Sequence, residues 1–176
     1  SDNSTAAALG TDTSGNGNTW TVNNISVLEG NGNYVAYTTA TNGYYSASYS
    51  VIKMFDGSTS TQMQPGTNST VTWTPPSSIP FTTLRIYARN YGTGAWLKVN
   101  NVTITSQVPV DSVSWFTVTG VTSPLTSLST YAVNGSNVIG INAIEVDGVI
   151  LTDNSIGSGN DSLVDTPTSY GTDTGA

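Results

Sequence analysis

The stretch T83-L-R-I-Y-A-R89 alternates without a fault. Leu84, Ile86 and Ala88 share one side of an extended chain, and Arg85, Tyr87 and Arg89 share the other. Strict alternation is the mark of a strand with one face in a core and one toward solvent. Upstream, V71-T-W73 repeats the pattern and stops at P75-P-S-S-I-P80, which cannot continue a ladder. Downstream, A95-W-L-K-V99 and V102-T-I104 flank Asn100-Asn101, a turn or bulge. S114-W-F-T-V-T-G120, L125-T-S-L-S-T-Y-A-V133 and V138-I-G-I-N-A-I-E-V146 follow at regular spacing. Asp147-Gly148 then stands between apolar flanks, a strong hairpin signal. No window carries a sustained helical period with caps. The expected fold is all-β: an antiparallel β-sandwich or jelly roll. Trp73, Trp96 and Trp115 are expected in its core.

Composition narrows the chemistry. The 176 residues suit one domain with extensions. Only 9% are charged, and the net charge is −7. Four cations, Lys53, Arg85, Arg89 and Lys98, cannot form the basic stripe a nucleic-acid binder needs, so no nucleic-acid partner is expected. No apolar run approaches the ~20 residues of a membrane-spanning helix, so no membrane insertion is expected. The opening S1-D-N-S-T-A-A-A-L-G10 lacks a basic region and a long apolar one, so no signal peptide is read there. There is no cysteine and no histidine. Disulfides, Cys/His metal sites, and Ser-His-Asp or Cys-His catalysis are thereby excluded.

Residues 1–19 and 155–176 are almost wholly Gly, Ser, Thr, Asn and Asp. By composition they read as linker. Asp12, Ser14, Asn16 and Asn18 place an oxygen-bearing side chain at every second position, an arrangement a hard cation such as Ca2+ accepts; a Gly-rich turn uses the same residues equally well. Asp153, Asn154, Asn160, Asp161 and Asp165 repeat that choice.

In the middle of the chain, M54-F-D-G-S-T-S-T61, V71-T-W-T74, L84-R-I-Y-A-R-N-Y-G92, W115-F-T-V-T-G120 and I141-N-A-I-E-V-D-G-V-I-L151 occur in that order. Together they resemble the galactose-binding-like, or discoidin (coagulation factor type C), β-sandwich. The resemblance covers roughly residues 30–152. It departs from the family at Gln62 and Met63, where a Trp is common, and in lacking the cysteines of many members. The flanks D12-T-S-G-N-G-N-T-W-T-V-N-N-I-S26 and D161-S-L-V-D-T-P-T-S-Y-G-T-D-T-G175 are similar to phrases in tail-fibre and other virion proteins of marine bacteriophages, cyanophages among them. The resemblances imply three segments. Residues 1–29 would be an extension or the end of a preceding laminin-G-like domain. Residues 30–152 would be the sandwich, and 153–176 a linker onward. They also imply a place on the virion surface, neighbouring virion subunits as partners, and a homo-oligomer by analogy with other fibres. A carbohydrate-binding module of a secreted bacterial polysaccharide-active enzyme or adhesin is the alternative.

The candidate ligand-binding residues are Asn42, Tyr44, Tyr45, Asp56, Arg89 and Tyr91. Aromatic faces receive the C–H side of a sugar, and amides and guanidinium groups meet its hydroxyls, so a glycan or host-surface polysaccharide is the expected partner. Asp56 has two readings: the cap of an Asp-Gly turn, or part of a loop lining a ligand or Ca2+ site. Glu145 and Asp147, two apart on a strand, could suit a glycosidase pair. A turn role for Asp147, and a pairing of Glu145 with Arg85 or Arg89, weigh against catalysis, and no enzyme is expected.

Overall fold

The computed structural model describes residues 32–153. They form nine strands: β1 (Thr38–Ala40), β2 (Ser69–Trp73), β3 (Leu84–Asn90), β4 (Trp96–Val99), β5 (Val102–Thr103), β6 (Ser114–Thr117), β7 (Leu128–Ala132), β8 (Ile139–Val146) and β9 (Val149–Ile150). Four short 3-10 turns are the only helical elements among the described residues, and no helix there is long and apolar enough to cross a membrane. The strands make two antiparallel sheets, ordered β1-β2-β7-β4-β5 and β6-β3-β8-β9. The chain is an all-β sandwich, as its alternating segments require.

The core lies between the sheets. Leu84, Ile86 and Ala88 of β3 are buried with Ile141 and Ile144 of β8. Val71 and Trp73 of β2, Leu97 and Val99 of β4 and Leu128 of β7 close on them from the other side. Met54, Phe55 and Met63 belong to the same core and are fully buried. Tyr34, Phe55 and Trp73 form an aromatic cluster with ring centroids 5.1–5.7 Å apart.

Trp96 and Trp115 depart from expectation. Neither is in the core, and the reason is parity. Leu97 and Val99 take the inner side of β4, so Trp96 must face out, where it stacks on Tyr131 at 5.7 Å beneath the Lys98 ammonium. Phe116 packs against the core from β6, so Trp115 faces out beside Tyr87.

Turn chemistry explains the hairpins. Asp147 (φ 49°) and Gly148 (φ 88°) both adopt the left-handed conformation of a two-residue β8–β9 turn. The Asp147 carboxylate accepts the amides of Thr82 and Thr83 at 2.6–3.2 Å, anchoring the entry to β3. Asn100 (φ 49°) and Asn101 (φ 64°) do the same between β4 and β5. The two ends of the described chain meet: Gly32 bridges Asp153, whose carboxylate accepts the Val35 amide at 2.6 Å.

Burial raises the Tyr34 phenol above its ordinary value of 10.0, and the nearby Asp153 charge adds to the rise. Burial raises Tyr44 too, partly offset by a backbone hydrogen bond from Val51. Above about pH 10 the unfolded chain ionises these phenols while the folded chain keeps them protonated. The folded state then holds more protons, so stability falls as pH rises through that window. Urea midpoints measured from pH 9 to 11.5 should decline, and more shallowly in a Tyr34→Phe/Tyr44→Phe variant. Equal slopes would contradict this account.

Candidate functional site

The candidate site starts from an irregularity in β8. Tyr87 of β3 stands opposite Ala143, and the next residue, Ala88, opposite Ile141. Asn142 has no partner on β3; it is the extra residue of a β-bulge. Bulges break the alternation of a strand and re-aim a side chain. The Asn142 amide nitrogen donates to the Thr59 carbonyl at 2.9 Å. Its carbonyl oxygen has no partner among the described residues, although the residue is only 4% exposed. An unpaired buried acceptor costs about 1–3 kcal/mol, so its retention calls for an explanation.

Asn142 forms part of the wall of a pocket of about 370 Å3. Tyr49 and Ser48 form one side, and Tyr91, just beyond β3, another. The loop Thr59–Gln62 and Val113 complete it. The Tyr91 hydroxyl donates to Gln62 Oε1 at 3.0 Å. Gly140 makes this arrangement possible: a Cβ there would meet Gln62 Oε1 at 2.4 Å and Tyr91 Cε2 at 3.2 Å. Arg89 stacks its guanidinium 4.7 Å from the Tyr91 ring and donates Nε to the Val110 carbonyl at 3.1 Å. The pocket walls carry hydroxyls, amides and two phenols but no charged side chain.

The structure separates the expected site residues. Tyr91 lines the pocket and Arg89 buttresses it. Tyr45, 54% exposed, packs edge-on against Tyr49 at 5.5 Å, beside the pocket. Asp56 lies behind the wall: it accepts the Ser58 amide at 3.0 Å and the Thr61 hydroxyl at 2.7 Å, with Lys53 at 3.6 Å, and so orders the loop that Thr61 presents. Asn42 and Tyr44 do not line it. Asn42 donates to the Asn68 carbonyl at 2.7 Å, and Tyr44 bridges Pro65. Asp12, Ser14, Asn16 and Asn18 lie outside the described residues, as do segment 1–29 and positions 154–176. Glu145 pairs with Arg85 at 2.9 Å.

Gln62, Asn142 and Gly140 are additions that sequence reading missed. Two signals were present. A glycine inside an apolar strand marks a bulge or a close approach, and an asparagine inside I-G-I-N-A-I breaks an otherwise apolar run.

No family model matches this chain, and no curated protein does. Similar solved structures exist. Chitosan-binding module 1 from a chitosanase/glucanase of Paenibacillus sp. IK-5 is 18% identical, with 65% of this chain and 98% of that chain covered and a TM-score of 0.44. A mutant of that module is 15% identical at the same score. The mycobacterial arabinofuranosyltransferase AftD is 10% identical over 65% of this chain and 12% of that one, with a TM-score of 0.43.

Proposed function

We propose that this chain is a non-catalytic carbohydrate-binding module whose pocket receives a sugar. The observation that carries the reading is an uncharged pocket walled by Tyr49, Tyr91, hydroxyls and amides, with the unpaired Asn142 carbonyl buried in its wall. A sugar hydroxyl is a donor able to satisfy that acceptor once the side chains around it relax, while phenol faces take the C–H side of the ring. The non-catalytic reading is supported by how the nearby acids are used: Asp56 holds a turn, Glu145 holds Arg85, and Asp147 holds two amides. None of them lines the pocket. On the strength of the flanking phrases, we place the module on a phage fibre or similar virion appendage, meeting host-surface glycan or neighbouring subunits. The same pocket would serve a secreted bacterial polysaccharide-active enzyme or adhesin. The parent open reading frame decides between them: virion genes on both sides favour the first, a hydrolase domain the second.

Gly140→Ala tests the pocket with little cost to the fold, because the new methyl meets chiefly the movable ends of Gln62 and Tyr91. On a glycan array the wild type should bind at least one sugar series. The variant should lose about tenfold, or roughly 1.4 kcal/mol, with a melting temperature within a few degrees. Undiminished binding by a folded variant would place the sugar elsewhere.

A further inference from the structure

We propose that the binding surface continues out of the pocket along the outer face of β3, so that the preferred occupant is an extended oligosaccharide rather than a single terminal sugar. This rests on the sugar-binding reading of the pocket. Alternation puts Arg85, Tyr87 and Arg89 in one outward row on β3, and Tyr91, just past its end, continues the row under the Arg89 guanidinium. At about 3.3 Å per residue that row runs about 20 Å, well beyond one sugar ring. On the neighbouring strand, Trp115 lies directly across from Tyr87. Val113, two residues before Trp115, lines the pocket. Pocket and row therefore adjoin.

The far part of the row is organised as a plate. Trp115 and Tyr87 touch with centroids 5.1 Å apart. The Arg85 guanidinium lies 4.9 Å from the Trp115 ring and is held there by Glu145 at 2.9 Å. Both rings are half-buried, so their positions are set before any ligand arrives. A planar cation, its fixed carboxylate and two aromatic rings offer apolar surface beside donors and an acceptor, the mixture a sugar chain presents in return. Trp115 and Tyr87 serve no core: Phe116, Ile86 and Ala88 fill the inner side of these strands.

The test is an array printed with homologous series, from monosaccharide to hexasaccharide, of β-1,4-glucose, α-1,4-glucose, β-1,4-galactose and β-1,4-N-acetylglucosamine. It is probed with the wild type and with Trp115→Ala, Tyr87→Ser and Gly140→Ala, each first shown folded by its melt. In at least one series, wild-type binding should rise with length over several units. Trp115→Ala and Tyr87→Ser should each lose about tenfold on the longest chains and little on the shortest, whereas Gly140→Ala loses at every length. Should Trp115→Ala not fold, Tyr87→Ser alone decides. Length-independent binding, or long-chain binding untouched in both plate variants, overturns the extended surface and leaves the pocket standing. Absence of wild-type binding to every series overturns both.

Discussion

Trp73→Ala is expected to cost about 3–5 kcal/mol of folding free energy, a large share of the roughly 5–15 kcal/mol that holds a domain folded. The indole is fully buried on the inner face of β2. It packs against Phe55 at 5.1 Å and Tyr34 at 5.7 Å, joining the five-stranded sheet to the turn before Asp56 and to the start of the described chain. Alanine would leave a cavity that three separate segments would have to collapse to fill. Trp73→Phe should cost much less, about 1–2 kcal/mol. The indole N–H has no partner among the described residues, so phenylalanine removes an unsatisfied donor along with the lost volume. Urea unfolding monitored by circular dichroism measures both. The midpoint should fall in the order wild type, Phe, Ala, with the slope unchanged. An alanine variant within 1 kcal/mol of wild type would show that the ring is not in the core.

Asn100→Ala should be nearly as damaging, about 2–4 kcal/mol, for a reason unrelated to packing. Asn100 occupies the left-handed region at φ 49°, where a Cβ other than that of Asn or Asp is costly. Its side chain also ties the β4–β5 hairpin to the loop before β7. The amide donates to the carbonyls of Thr122 and Pro124 at 3.0 and 2.7 Å. The oxygen accepts from the Thr126 amide and hydroxyl and the Ser127 amide at 2.7–3.2 Å. Alanine loses both contributions. Asn100→Gly restores the backbone conformation and loses only the hydrogen bonds, so it should recover about 1 kcal/mol of the deficit. Thermal melts of the pair separate the two terms. Equal losses would assign the whole effect to the side chain's contacts.

Much of the sandwich was legible because its signals are local. The alternation of T-L-R-I-Y-A-R reappears as β3 with Leu84, Ile86 and Ala88 buried. Asp147-Gly148 and Asn100-Asn101 turn where their tolerance of positive φ predicted. The tryptophans show where residue type misleads. Trp96 and Trp115 are expected in the core, but their neighbours' parity governs direction, and Leu97, Val99 and Phe116 claim the inner face. The site was half legible. Tyr91 and Arg89 belong to one continuous phrase and remain together. Gln62 stands where the resembling family commonly has Trp; here it lies over Gly140 and meets Tyr91, while Met63 enters the core and bridges Ile141.

Local stereochemistry therefore decided, from the sequence alone, that the fold is built of short strands, which sides of β2 and β3 are apolar, where the tight turns fall, and that no histidine or cysteine chemistry is available. Those properties depend on residues one or two positions apart. Only the tertiary structure decided that β2 lies beside β7, that β8 bulges at Asn142, and that Thr59 and Asn142, 83 positions apart, share a hydrogen bond in the pocket wall. Pairing order and bulge position depend on how two whole sheets close over one core, a sum over distant contacts that no short stretch of the chain contains.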